Sequence, residues 1–163
     1  MTAGLADVLV LGLGNLLLSD DGVGLRLLED LRSETSPAEF LDGGTQGLAL
    51  LPYLANRRAL LVLDAVALGA PPGTVQVLHG DTLAAHRAAS AHGSNALELL
   101  ATARLLGDLP PSVTIVGIEP ACLATGIGLS PAVEAAIPEA LSRARAVLAL
   151  AFQELANVSC DSR

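Results

Sequence analysis

The sequence predicts a single α/β domain, in which helices cover both faces of a twisted and mostly parallel sheet. Two observations predict this class. Solid apolar runs of strand length recur along the 163 residues, and several of them end in glycine or aspartate. Stretches with helical signals separate these runs, and such alternation is typical of a parallel sheet with crossover helices. A chain of this length buries a sizeable core as one domain without disulfides or structural metals.

The first half of the chain predicts three strands and two helices. Ser19 to Asp21 offer N-cap side chains to the first helix, and the second strand leads into the turn Asp42-Gly43-Gly44. Gly12 ends the first strand, and Asp64 ends the third. The predicted strands are residues 8–11, 40–41 and 59–63, and the predicted helices are residues 23–31 and 47–55.

The second half predicts two more strands, at residues 75–78 and 113–118, and helices at residues 95–106 and 131–156. The strand at 75–78 follows its predecessor after little more than a Pro-Pro-Gly turn. This short connection favours an antiparallel orientation, because a parallel crossover needs about a dozen residues or more. Asn95 and Glu98 are typical of a capping box at the start of a helix.

The last helix has clear signals at its start and within its length. Ser130 is a good N-cap, and Pro131 suits the first helical position. Pro138 is expected to break or kink the helix, because proline removes one backbone donor. Residues 1–156 are therefore expected to form the domain, and residues 157–163 a disordered tail.

Composition excludes several classes of function. The net charge of −8 repels phosphate backbones, and only three aromatic residues (one Tyr, two Phe) offer stacking surfaces, so no nucleic-acid partner is expected. The longest uncharged stretch, residues 65–80, is interrupted by glycine and proline, so no membrane insertion is expected. The first ten residues carry Asp7 and no basic residue, unlike a secretory signal. Cys122 and Cys160 lack a C-x-x-C spacing. The cytoplasm is the expected location.

The Gly12-x-Gly14 turn after the first strand suggests a dinucleotide site. That fingerprint needs a third glycine and a helix that begins directly at the turn, so that the pyrophosphate meets free N–H groups. Here Leu17 stands at the third position, and Asp20 and Asp21 precede the helix. The motif is therefore interpreted as a tight turn at the end of a strand.

Three residues are candidates for the chemistry of the site. Asp21 and Asp64 each follow a predicted strand at the carboxyl edge of the sheet, where open α/β sheets bind their ligands. His92 lies in an irregular segment just before a helix. Ordinary structural roles remain open for each of them: Asp21 as a partner of a helix dipole, Asp64 as a cap of a loop, and His92 as a loop histidine.

Other polar residues near this edge are assigned structural roles. Asp20 is interpreted as an N-cap or a partner of the helix dipole. Asp42 is interpreted as an organiser of the Gly-Gly turn. His79 and His86 are expected to be exposed to solvent.

Together, Asp21, Asp64 and His92 form a ligand set of two oxygens and one nitrogen. Imidazole suits nickel and zinc, and three ligands leave positions open for water or for groups of another molecule. The alternative is an aspartic dyad, in which Asp21 and Asp64 share one proton. The residues alone leave both chemistries open.

Several motifs resemble those of the hydrogenase maturation proteases, and they occur in that family's order over nearly the whole chain. The first is the stretch from Gly12 to Gly24, with the sequence GLGNLLLSDDGVG. The others are DGGT at residues 42–45, DA at 64–65 followed by PGT at 72–74, GIEP at 117–120 and GLSP at 128–131.

The resemblance implies a sheet covered by helices and one reaction. Members of the family remove a short C-terminal extension from the large-subunit precursor of a [NiFe] hydrogenase after nickel has been inserted. Their metal-contacting positions match Asp21, Asp64 and His92, although many members carry glutamate where this chain has Asp21. The family is often classed with the aspartic-type peptidases, and its metal contacts allow a metal-assisted mechanism as well.

Nickel is expected to arrive with the substrate rather than to reside in the enzyme, because three ligands without a thiolate would hold the ion weakly. Two other functions remain open. One is a non-catalytic nickel-binding chaperone that uses the same three ligands, and the other is a nucleotide-binding α/β enzyme, against which the missing third glycine argues.

Overall fold

The computed structural model describes residues 6–80 and 95–160 of the chain, and within them it has one five-stranded sheet. The strands are β1 (Val8–Leu13), β2 (Glu39–Gly44), β3 (Ala59–Ala65), β4 (Val75–His79) and β5 (Ser112–Ile118). Their order across the sheet is β2-β1-β3-β5-β4. The predicted α/β class is confirmed.

The first three strands run further toward their carboxyl ends than the sequence predicts. β1 continues through Gly12 to Leu13, where its register with β2 shifts. β2 includes Asp42 and both following glycines, and β3 includes Asp64. Polar residues and glycine suggested loops at these positions, but the ladders with neighbouring strands continue through them.

β4 is the antiparallel strand, as its short connection predicts. It pairs with β5, with Val75 opposite Ile118 and His79 opposite Thr114. β5 lies between β4 and β3 and is parallel to β3. The end of β4 therefore lies at the amino edge of the parallel strands, opposite to the edge at which β1, β2, β3 and β5 end.

Helices pack on both faces of the sheet. They are α1 (Val23–Arg32), α2 (Leu51–Leu54), α3 (Asn95–Leu106) and α4 (Pro131–Cys160), and 3-10 turns at Ser19–Gly22 and Gly47–Leu50 precede α1 and α2. One face carries α1 and α4, whose apolar residues join Val10, Leu61 and Val116 in one core. The other face carries α2 and α3, which pack with Leu11, Val62 and other strand residues in a second core.

The last helix differs from its prediction in two respects. It runs without interruption through Pro138 for 30 residues, and it ends at Cys160, four residues beyond the predicted end. A stripe of buried side chains, including Val133, Ile137 and Ala144, holds it against the sheet, and this packing outweighs the one hydrogen bond that Pro138 cannot make. In the ranges described, no helix meets the length and apolarity needed to cross a membrane.

Gly24 sets the distance between α1 and the sheet. A Cβ atom at this position would overlap the backbone oxygens of Leu13 and Leu63. We expect Gly24→Ala to lower the free energy of unfolding by about 2–3 kcal/mol, since overpacking against backbone forces the helix away from the strands. Chemical denaturation measures the change. Gly80→Ala is the control, because a Cβ there meets only an ordinary contact at 3.7 Å. Equal stability of the two variants would contradict this account of α1.

Candidate functional site

Asp21 and Asp64 meet at the carboxyl edge of the sheet. Asp64 is the penultimate residue of β3, and only 5% of it is exposed. Asp21 lies in the 3-10 turn Ser19–Gly22, which follows β1, the neighbour of β3. The negative charge of Asp21 acts on the Asp64 carboxyl. The two aspartates therefore lie at the same edge of the sheet, as predicted, whereas their convergence with His92 stays a prediction.

Asp64 is a carboxyl group in an unfavourable place for a charge. Burial raises its pKa from the ordinary 3.8 to about 8, with a further rise from the charge of Asp21 and a partial offset from the Ala65 backbone N–H. Desolvation penalises the ionised form, and a like charge nearby penalises it again. In the absence of a cation, one proton is therefore held at this pair at neutral pH. Strongly shifted pKa values of this kind are common at functional sites.

Both carboxylates keep acceptor capacity to spare. Asp21 Oδ2 accepts a hydrogen bond from the backbone N–H of Asn15 at 2.8 Å, and Asp64 Oδ1 accepts one from Ala65 at 2.8 Å. An ionised carboxylate has about four acceptor sites. These are the hydrogen bonds that the pair accepts from residues 6–80 and 95–160, so within that part of the chain both groups keep acceptor sites that could contact water or a cation.

Asp20 is held quite differently, although it is adjacent to Asp21. Its side chain is fully buried and accepts three backbone hydrogen bonds, from Ala121 (2.8 Å), Cys122 (2.9 Å) and Ser130 (2.6 Å). Burial raises the pKa of Asp20, but these hydrogen bonds outweigh it and leave the pKa below its ordinary value. Asp20 is thus a structural residue that joins the Ser19–Gly22 turn to the loop before α4.

The expected N-cap role of residues 19–21 is wrong. The N-cap residue of α1 is Gly22, and no side chain caps that helix. The hydroxyl of Ser130, by contrast, accepts the N–H of Val133 at 3.5 Å, so the predicted cap of α4 is confirmed. The Asp20 carboxylate accepts the N–H of Ser130, directly before α4, and does not cap α1, the helix that follows it in the chain.

Glu119 is the third buried carboxylate among the described residues, after Asp20 and Asp64, and sequence analysis assigned it no role of its own. Its oxygens accept hydrogen bonds from the backbone N–H groups of Leu68 (2.9 Å) and Gly69 (3.0 Å) and from the amide of Gln76 (2.9 Å). These contacts fix the loop that follows Asp64. A glutamate directly after a mainly apolar, buried strand was the available signal, since such a position is costly for an unpartnered charge.

The sequence predicted that Asp42 organises the Gly43-Gly44 turn, and this prediction is wrong. Its side chain is exposed, and among the described residues its carboxylate accepts no hydrogen bond.

Gly14 accounts for the other glycine turn, Gly12-x-Gly14, at the end of β1. Its φ is +133°, its N–H donates to Gly44 at 3.0 Å, and a Cβ would overlap the backbone oxygen of Asp21. The glycine allows the turn that bears Asp21 to approach β1, which agrees with the interpretation as a strand-exit turn.

Of the three histidines, only His79 lies within the described residues. His79 is exposed, as expected, and lies at the amino edge, with its Nδ1 atom 3.3 Å from Thr114 Oγ1. His86 and His92 lie outside the described residues. No group of three potential metal ligands is found in residues 6–80 and 95–160. The site as described is a carboxylate pair, which can share a proton or bind a cation.

Comparisons with known proteins agree with one another. Residues 25–147 match the family model described as hydrogenase maturation protease, HycI. The chain is 42% identical over 144 residues to the hydrogenase expression/formation protein HupD of Rhodobacter capsulatus, covering 84% of this chain and 69% of that protein. It is 39% identical over 147 residues to the hydrogenase 2 maturation protease of Escherichia coli, covering 86% of this chain and 90% of the relative.

The fold has the same relatives. The solved structure of the hydrogenase maturating endopeptidase HybD from Escherichia coli superposes with a TM-score of 0.78 at 37% sequence identity. The match covers 86% of this chain and 91% of that one.

Proposed function

The chain belongs to the hydrogenase maturation protease family, and from this premise we propose that it is the endopeptidase that removes the C-terminal extension of a nickel-loaded [NiFe] hydrogenase large-subunit precursor. The observation that carries the proposal is the pairing of Asp21 with Asp64 at the carboxyl edge of the sheet. Asp64 is 5% exposed and has a pKa raised to about 8, and Asp21 lies close enough for its charge to contribute to that rise.

A proton at this pair suits the hydrolysis of a peptide bond. The carboxylate pair accepts a proton from the attacking water, whose oxygen bonds to the carbonyl carbon of the peptide. The pair then returns a proton to the amine nitrogen as the C–N bond breaks. A general acid and base of this kind contributes about 10²–10⁴-fold to a rate.

The same pair suits a cation that arrives with the precursor. The two carboxylates carry few hydrogen bonds, and His92 would complete the set of two oxygens and one nitrogen. α3 begins three positions after His92. A loop of five residues joins the end of α3 to the start of β5, which lies at the amino edge of the sheet. The start of α3 therefore lies toward the carboxyl edge. The helix also packs with Leu50, in the turn after β2. This topology supports His92 as the third ligand.

Nickel is then part of the substrate. A precursor that already carries the ion would supply the remaining ligands and bring the scissile bond next to Asp21 and Asp64. Positioning of this kind removes much of the entropic cost of bringing the reactants together. The open carboxylate pair would thus distinguish a loaded precursor from an empty one.

We expect cleavage of a nickel-loaded precursor and no cleavage of the same precursor without nickel. The enzyme is first stripped with a chelator and freed of it, and mass spectrometry measures the loss of the C-terminal extension. Free nickel added to the enzyme alone, before the empty precursor, is the control for the source of the ion.

Three results would contradict parts of this proposal. Equal cleavage of the two precursors would overturn the role of nickel in the substrate. A zinc ion that survives chelation and is needed for activity would indicate an ordinary metalloprotease. Binding of the loaded precursor without any shortening would favour the nickel-binding chaperone instead.

A further inference from the structure

Two loops at the carboxyl edge are fastened to each other beside Asp21. They are residues 15–19, after β1, and residues 121–128, after β5. Backbone hydrogen bonds join Ser19 N to Gly126 O at 2.9 Å and Gly126 N to Leu17 O at 2.9 Å. The hydroxyl of Ser19 also donates to the carbonyl of Ala124 at 2.9 Å.

Further contacts hold the paired loops in place. The same two backbone hydrogen bonds make Leu18 and Gly126 an isolated parallel β-bridge, and the buried Asp20 carboxylate separately accepts the N–H of Cys122 at 2.9 Å. Ser19 has a φ of +51°, a conformation that costs energy for a residue with a side chain. Such strain persists only where the surroundings over-determine it, and it is frequent at ligand-binding positions.

The paired loops expose apolar side chains to solvent. Leu17 is 59% exposed and Ile127 is 88% exposed, while Leu16 and Leu123 are each about half exposed. Apolar side chains that are clustered on one surface next to a site usually mark a place of binding. Because the backbone beneath them is already ordered, a partner would meet little entropic cost in settling on it.

We propose that this surface, the docking ledge (residues 15–19 and 121–128), binds an apolar segment of the precursor adjacent to the scissile bond. The inference rests on the proposed function and adds its recognition surface. The ledge would supply apolar contacts that hold the substrate chain, while Asp21 and Asp64 carry the chemistry.

Continuity with the site favours the precursor over other occupants. The ledge begins at Asn15, whose N–H donates to the Asp21 carboxylate, and the Asn15 side chain accepts the N–H of Leu17 at 2.9 Å. A chain lying across Leu17 therefore lies within a few residues of Asp21. A second copy of this protein bound to the ledge would cover Asp21 and Asp64 of the first copy. Two chains of net charge −8 also repel each other.

The test removes the apolar contacts without disturbing the fold. The double variant Leu17→Ser/Ile127→Ser changes two exposed side chains, and the matched control Leu105→Ser changes a leucine that is 85% exposed at the end of α3, toward the amino edge. Cleavage kinetics with the nickel-loaded precursor should show a KM raised about tenfold or more in the double variant, with kcat and thermal unfolding unchanged. The control should behave like the wild type.

Binding is measured separately, with both sets of substitutions placed in an Asp64→Asn background so that bound precursor is not cut. If wild-type protein cleaves the precursor but the double variant matches Leu105→Ser in KM and affinity, the docking ledge is wrong and the proposed function stands. If wild-type protein fails to cleave, yet the Asp64→Asn protein binds the precursor and loses this binding with the double substitution, the ledge stands and the protease is wrong. If the wild-type protein neither cleaves nor binds the precursor, both proposals are overturned.

Discussion

Asp21→Asn and Asp64→Asn are each expected to slow the processing of a nickel-loaded precursor by roughly 10²–10⁴-fold, the range that loss of a general acid or base costs. Asparagine has nearly the same shape as aspartate but neither carries the charge nor exchanges the proton. Its side-chain oxygen can still accept the hydrogen bond that Asn15 gives to Asp21 or that Ala65 gives to Asp64. The fold should therefore survive both substitutions. Single-turnover cleavage assays measure the loss.

Asp7→Asn makes the same chemical change at the opposite edge of the sheet and serves as the control. The Asp7 side chain is exposed. The backbone oxygen of Asp7 accepts hydrogen bonds from the N–H groups of Arg58 and Ala59, and the substitution leaves these bonds in place. This variant should retain full activity. Unaltered cleavage by Asp64→Asn would remove Asp64 from the chemistry, whatever the effect at Asp21.

Stability should change in the opposite direction to activity in Asp64→Asn. The pKa of Asp64 is about 8 in the folded protein, against an ordinary value of 3.8. Below about pH 4 the residue is protonated in both the folded and the unfolded chain, so it costs nothing. Between the two pKa values the unfolded chain ionises while the folded protein keeps the proton, and the free energy of unfolding falls by about 1.4 kcal/mol per pH unit. Above about pH 8 the effect is complete.

Replacement by asparagine removes this titration. The free energy of unfolding of metal-free Asp64→Asn, minus that of the wild type, should therefore grow by roughly 5 kcal/mol from pH 4 to pH 8 and then level off. Urea titrations in the presence of a chelator measure both proteins over this range. Curves that remain parallel would mean that Asp64 is not a desolvated carboxyl group. A rise together with lost cleavage would show that the residue is kept for function at the expense of stability.

Much of the fold could be predicted from the sequence because its signals are local. Solid apolar runs of strand length mark β1 and β3, and short connections limit the orientation of β4. The pairing of β4 with β5 could not be predicted, since α3 separates the two strands in the chain and pairing between distant strands has no local sequence signal. Strand ends were placed too early because Gly12 and Asp64 have poor strand propensities, whereas tertiary context decides such positions.

The placement of two candidate residues could also be predicted. Asp21 and Asp64 were expected at one edge because the carboxyl ends of neighbouring parallel strands share that edge, while their roles stay predictions. The role of Glu119 was missed because its hydrogen-bond donors are 51, 50 and 43 positions away. The sequence gives no sign of which carboxylates are saturated by such distant donors and which remain open for chemistry.

The hydrogen bonds of Asp20 have a consequence for folding during synthesis. They connect positions 101, 102 and 110 apart in the chain. While the protein is being synthesised, the turn that bears Asp20 and Asp21 leaves the ribosome long before Ala121, Cys122 and Ser130. A nascent chain that already contains Asp21 and Asp64 therefore lacks the contacts that hold the Asp20 carboxylate and, through it, the turn that bears Asp21. The turn that bears Asp21 is therefore fixed in place only late in synthesis, after Ser130 has emerged.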